Sequence, residues 1–132
     1  MADTAIEEGG NLTINYAKRG GFVPCVAQDA DNGQILMLGY VNEAALNTTL
    51  DKGMATFWST SRDELWTKGE TSGDYLKLVE VLVDCDQDAL IYRVIPQGAG
   101  ACHTRDAEGN VRRSCFYRRV DSPHTLAFVA DP

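Results

Sequence analysis

A chain of 132 residues, 44% of them hydrophobic, has room for one compact domain with an ordinary core and not for two. Nineteen acids against 12 bases give a formal charge of -7. That balance excludes attraction to nucleic acid or an anionic membrane through the overall field, so an anionic ligand needs a local basic site or a bound cation. No apolar run approaches the roughly 20 residues that span a bilayer, and MADTAIEEGG lacks the features of a secretory signal. The expected place is the cytoplasm, with Cys25, Cys85, Cys102 and Cys115 reduced.

The first residues, to about position 15, are acidic and glycine-bearing with little to bury, so fraying is expected there and order from near Gly21. Phe22 to Gln28 and Gln34 to Tyr40 are apolar and flank DADNG, whose Asn32-Gly33 step supplies the positive φ of a hairpin turn. In VNEAALNTTLDKG, Asn42 predicts an N-cap, Glu43 suits the positive end of the dipole, Val41 staples to Leu46 and Gly53 ends the helix. Leu46 and Leu50 are expected on its buried face. Ala55 to Thr60 predicts a strand, and the polar stretch SRDELWTKGETSGD then runs without clear period to Tyr75. Polar loops of this length often carry function.

From Lys77, alternation sets Val79, Val81 and Val83 on one face and Leu78, Glu80 and Leu82 on the other. A strand from Ala89 to Ile95 follows, so the intervening DCDQD falls at the tip of a hairpin. The remainder holds a glycine-rich loop, a charged insertion, a short strand near Cys115 to Val120 and an apolar segment, Thr125 to Val129. The fold class is α+β: mostly antiparallel strands with one or two short helices, in a single domain over residues 1–132.

On a regular strand the outer carboxylates of Asp84, Asp86 and Asp88 would lie roughly 13 Å apart, too far to grip one cation at ~2.1 Å, so the backbone must curl if they share magnesium. Converging carboxylates repel unless a divalent ion sits between them. The alternative is a tip of hydrated, turn-forming aspartates.

The cysteines carry more information. Cys102 lies in GAGACHT beside the titratable His103, and Cys115 follows RRS, whose guanidinium groups favour a thiolate. Together with Cys85 they suit a zinc ion with its fourth position left for water, whose pKa falls toward ~7 in such a site, and His103 is placed to shuttle protons. Cys25, in the apolar VPCVA, is expected in the core, although it could close a four-thiolate structural site. His124 stands away from any cluster.

MLGYVNEAAL (37 to 46), FWSTSRDELWTKGETSGD (57 to 74), DCDQDAL (84 to 90), ACHT (101 to 104) and SCFYR (114 to 118) together resemble phosphoribosyl-AMP cyclohydrolase of histidine biosynthesis. The likeness spans about residues 21 to 119. It implies hydrolytic opening of the purine ring of 1-(5-phosphoribosyl)-AMP: water adds at the carbon bearing the exocyclic amine, and the bond to the alkylated ring nitrogen breaks. It also implies an intertwined homodimer with one zinc per subunit on Cys102, Cys115 and a partner-supplied Cys85, and magnesium on Asp84, Asp86 and Asp88. Substrate phosphates are expected at Arg62, Lys68 and the loop of Glu70, Thr71, Ser72 and Gly73, and Trp58 or Trp66 could stack on the base.

Three features depart from the family pattern: RDAEGNVR lengthens the connection between Cys102 and Cys115, and Asp74 and Leu76 replace the usual residues. A fused pyrophosphohydrolase, found in some relatives, is not expected. A purine-nucleotide deaminase is disfavoured because HxE and PCxxC are missing. A non-catalytic, zinc-stabilised dimer is the remaining alternative.

Overall fold

In a computed structural model of the chain, residues 4–132 are described. A short helix, α1 (Thr4–Glu8), and a 3-10 turn at Tyr16–Arg19 precede the sheet. Strands β1 (Val23–Asp29) and β2 (Ile35–Val41), helix α2 (Glu43–Lys52) and strands β3 (Thr56–Ser59), β4 (Glu64–Thr67), β5 (Leu76–Val83), β6 (Leu90–Pro96), β7 (Arg118–Ser122) and β8 (Thr125–Phe128) follow. The main sheet runs β2-β1-β6-β5; only the β1–β6 pair is parallel, and β3–β4 and β7–β8 are separate antiparallel ribbons. The fold is thus α+β with antiparallel pairing dominant. No helix among the described residues is long and apolar enough to cross a membrane.

The core lies on one face of the main sheet, where Val23, Cys25 and Ala27 of β1 meet Leu90, Tyr92 and Val94 of β6 under α2 and Phe57. Helix α2 starts and stops as its sequence dictates: Asn42 accepts the Ala45 N–H through its side chain, and Gly53 closes the helix in the left-handed region. Its buried face differs from expectation, being Ala45, Leu46 and Thr49, with Leu50 exposed. The Thr49 hydroxyl accepts from the Thr56 N–H at 2.9 Å and lies 3.1 Å from the Tyr92 hydroxyl, tying α2 to β3 and β6. A leucine at position 49 would leave the buried Thr56 N–H unpaired, while the Tyr92 hydroxyl would keep its bond to the Thr56 carbonyl.

Other expectations are corrected by local geometry. In the β1–β2 connection only Gly33, not Asn32, adopts positive φ. Strand β5 slips register between Leu78 and Glu80, so Val79 bulges outward; Leu78 and Val81, rather than Val79 and Val81, pack on the core. The polar stretch after β3 contains an unpredicted strand, β4, joined to β3 through a turn in which Asp63 takes a φ of 50°. The strand expected from Cys115 begins instead at Arg118. The expectation of fraying falls partly on residues 1–3, outside the described residues. From residue 6 onward the segment is bonded to Gln87, whose side-chain amide donates to the carbonyls of Ile6 and Asn11 and whose Oε1 accepts the Thr13 N–H.

Gly39 sets the distance between β2 and β3. An added Cβ would lie 2.5 Å from Cδ1 of Phe57, a ring with no exposed surface and no room to yield. Gly39→Ala is expected to destabilise the fold by about 1–3 kcal/mol through overpacking, read from denaturant unfolding midpoints.

Candidate active site

One edge of the main sheet holds two sulfurs. In β2 the register slips between Ala27 and Gln28 of its partner, leaving Leu36 as an extra residue and allowing Leu36 and Met37 to bury consecutively. The Leu36 carbonyl, outside the ladder, accepts the Cys115 N–H at 2.7 Å, and the buried Ser114 hydroxyl donates to the Ile35 carbonyl at 2.6 Å. The segment carrying Cys102 is then hung from this one: the Ala101 N–H donates to Arg113 O at 2.9 Å and the Cys102 N–H to Arg112 O at 3.2 Å. Gly100 is required here, since a Cβ would sit 2.4 Å from Arg112 O.

The two thiols are close enough to perturb one another. Burial tends to raise the Cys102 thiol, but the Thr104 hydroxyl and N–H, with Cys115 and Arg112 nearby, bring it below its ordinary value. Loss of solvent around Cys115, with the charge on Cys102, pushes that thiol up to about 11, and Lys68 draws it partly back. The Thr104 hydroxyl is 2.9 Å from Cys102 Sγ and accepts from Arg112 Nη1 at 3.2 Å. When Cys102 is a thiolate, the hydroxyl proton therefore points at sulfur. His103, next in the chain, is exposed to solvent.

Cys85 is not part of this pair. It follows β5, the opposite edge of the four-stranded sheet, and is exposed. Strands about 4.8 Å apart put the two edges roughly 14 Å apart, whereas sulfurs sharing a tetrahedral zinc with 2.3 Å bonds lie about 3.8 Å apart. Cys25 is buried in the core on β1, and burial drives its thiol well above the ordinary range, so it completes no four-thiolate site.

The acidic hairpin curls as three converging carboxylates require. Asp84 accepts the N–H groups of Asp88 and Ala89 through Oδ1 at 2.9 and 3.0 Å, and Gln87 turns the chain with a φ of 56°. One oxygen from each of Asp84, Asp86 and Asp88 then lies within 4.8 Å of the others. The Lys18 ammonium contacts Asp88 and stands 3.7 Å from Asp86, while Arg19 reaches Asp88 at 3.3 Å. Hydrogen bonding to Lys18 holds Asp88 below the usual carboxylate range; its bond to Asp88, partial desolvation and Asp84 raise Asp86.

Arg62, Lys68, Glu70, Thr71 and Ser72 line one open groove of about 460 Å3 over β4. Arg62 pairs with Glu64 at 3.2 Å, and Glu70 accepts the Thr67 N–H, so both are engaged within the loop. Gly69, at a φ of 94°, admits no Cβ because Tyr75 N would be 2.3 Å away, and Gly73 donates to Gly69 O at 2.6 Å, giving a compact turn. Trp66 stacks on Phe57 at 5.0 Å and also lines the groove. Asp74 joins the loop to the glycine-rich segment by accepting the Ala99 N–H at 3.3 Å. Sequence reasoning missed Lys18, Arg19, Thr104 and the Asp29–Arg113 pair. Only Thr104, two residues from Cys102, had a local signal.

A protein-family model described as phosphoribosyl-AMP cyclohydrolase matches residues 37–117. The phosphoribosyl-AMP cyclohydrolase of Desulfatibacillum aliphaticivorans is 43% identical over 92% of this chain and 91% of its own. That of Sphingopyxis alaskensis is 52% identical over 84% and 82%. The histidine biosynthesis bifunctional protein HisIE of Photobacterium profundum is 50% identical over 74% of this chain and 50% of its own. With a family match across most of the sheet, both sulfur segments and the acidic hairpin, the chain belongs to the phosphoribosyl-AMP cyclohydrolase family of hydrolases.

Proposed function

We propose that the chain opens the purine ring of 1-(5-phosphoribosyl)-AMP by hydrolysis, giving the phosphoribosyl-formimino-AICAR phosphate product in the third step of histidine biosynthesis. It acts in the cytoplasm as a homodimer with zinc and magnesium. The observation that carries this reading is the division of the sulfurs: the Cys102 and Cys115 segments are bonded together at one sheet edge while Cys85 is displayed at the other. Two soft donors close enough to perturb one another, one with a depressed pKa, fit zinc, and a third from a second copy would leave one tetrahedral position open. Zinc held there supplies a water acidic enough to ionise near neutral pH.

The chain's own groups account for the rest. His103, exposed beside Cys102, carries the proton to the departing ring nitrogen. Lys68 acts on the Cys115 sulfur and also lines the groove of the KGETSG turn, so the cation and loop amides that receive substrate phosphate adjoin the sulfur pair. Arg62, Thr71, Ser72 and Gly73 extend that cradle, with Glu70 fixing its shape. Asp84, Asp86 and Asp88 offer magnesium a hard oxygen set, and the ion offsets the field that an acidic chain presents to a diphosphorylated nucleotide.

Cys102→Ala is expected to abolish consumption of phosphoribosyl-AMP, followed by loss of its ultraviolet signature; turnover persisting in rigorously zinc-free protein would refute the metal chemistry. A mixing experiment tests the shared site. Cys85→Ala and Cys115→Ala chains, each inactive alone, should on unfolding and refolding together recover about a quarter of parental activity, since half the dimers then hold one intact site. No recovery would overturn the shared site.

The carboxylates give a third expectation. Asp86 is raised, so its contribution to stability is full below its unfolded pKa and is lost as pH rises through the folded value. Asp88 is depressed, so its contribution is present above its unfolded pKa and is lost as pH falls through the folded one. At pH 7 without divalent ions, Asp86→Asn should therefore raise the melting temperature. Magnesium should stabilise the parent more than the variant. A lower melting temperature for ion-free Asp86→Asn would contradict this account.

A further inference from the structure

Asp29 and Arg113 take no part in the chemistry above, yet they join the sheet to both sulfurs. Asp29 ends β1 with its side chain only 4% exposed. One carboxylate oxygen accepts the Asp31 N–H at 2.8 Å, and the other receives Arg113 Nη2 at 2.5 Å. Arg113 Nε donates to Gln34 Oε1 at 3.1 Å, so the guanidinium spans both ends of the β1–β2 connection. A buried carboxylate deprived of its partner is costly, and this fixes where the guanidinium must lie.

The backbone of the same residue faces the other way. Arg113 O accepts the Ala101 N–H, Arg112 O accepts the Cys102 N–H, and Cys115 stands two residues further on. A Cβ on Gly100 would lie 2.6 Å from Arg113 Cα, so the two segments are packed without slack. Arg113 thus grips the rigid turn with its side chain and holds the Cys102 segment with its carbonyl.

We propose that Arg113, anchored by Asp29, is a positioning residue that sets the separation of the Cys102 and Cys115 sulfurs and so their fitness to share one metal ion. The proposal rests on the zinc reading above. It differs from simple support of the fold in one respect. Removing both charges relieves the cost of an unpaired buried ion but cannot restore the grip on the turn.

The test uses the full-length protein as Arg113→Met, Asp29→Asn, the double variant and Arg113→Lys. Three quantities are read: the melting temperature, cobalt(II) affinity with its sulfur-to-metal absorption band, and capture of a trivalent phenylarsenical. The arsenical needs two adjacent thiols and no metal, and is measured in a Cys85→Ser background. Both neutral single variants should melt lower and the double variant close to the parent. Cobalt affinity in Arg113→Met and in the double variant should fall about tenfold or more, with a weakened band. Arsenical capture should fall with it, and Arg113→Lys should recover part of each loss. A double variant with parental cobalt affinity, band and arsenical capture would overturn the proposal. If the parent binds no cobalt, the zinc reading fails, and equal arsenical capture by parent and double variant then overturns the positioning role independently.

Discussion

The extra residue at Leu36 is the constraint from which the sulfur side of the molecule hangs. Burying Leu36 and Met37 in succession forces a bulge, and the bulge turns one carbonyl out of the ladder toward the Cys115 N–H. Each later attachment depends on that one: Ser114 to Ile35, then Arg112 and Arg113 to the Cys102 segment. Two irregular segments acquire the rigidity of a sheet through a short series of backbone bonds. The insertion between them does not disturb the arrangement because it closes on itself. Asp106 accepts the N–H groups of Glu108 and Asn110, and Arg105 bridges to Val111. A loop that forms its own hairpin adds little chain entropy to the closure of its ends.

At the opposite edge the governing term is electrostatic. Three carboxylates held within 4.8 Å would drive the tip open without compensation. Two kinds are present in the chain. Backbone N–H groups of Asp88 and Ala89 bind Asp84, and Lys18 with Arg19 draws Asp88 inward. Asp86 is left as the carboxylate with the most to gain from a divalent ion, which agrees with its raised pKa. The amino-terminal segment, bonded to Gln87 and carrying Lys18, therefore acts as a counterion as well as a cover.

Much of this was legible in the sequence wherever the signal is local. The caps of α2 follow from Asn42 and Gly53. The α+β class follows from alternating strands and one capped helix. Strand β4 escaped because Glu64–Thr67 is short and half exposed, so no alternation marks it. The bulge at Val79 was hidden because Lys77 to Val83 alternates well enough to read as regular. Leu50 misled because α2 meets the sheet along Ala45 and Thr49, a choice made by the packing of Tyr92 and Thr56 rather than by helix periodicity. The Asp29–Arg113 pair joins residues 84 apart in sequence, and no rule of spacing finds such a contact.

Under the zinc reading proposed above, the division of the three sulfurs between two edges of one sheet has a chemical consequence. Cys102 and Cys115 are adjacent, but neither can reach Cys85 of its own chain, so a lone subunit presents two soft donors and an incomplete coordination shell. In the proposed dimer the reactive metal is assembled only when both sheets have folded and met, which couples activity to assembly through the same bonds that bind zinc. The exposed apolar side chains agree with such a meeting: Val79, Leu82 and Val83 flank the β5 edge near Cys85, while Phe116, Val120 and Phe128 lie beyond Cys115. In that proposed dimer, apolar surface next to each group of sulfurs would drive the halves together without a directional bond, and the sulfurs would supply the direction.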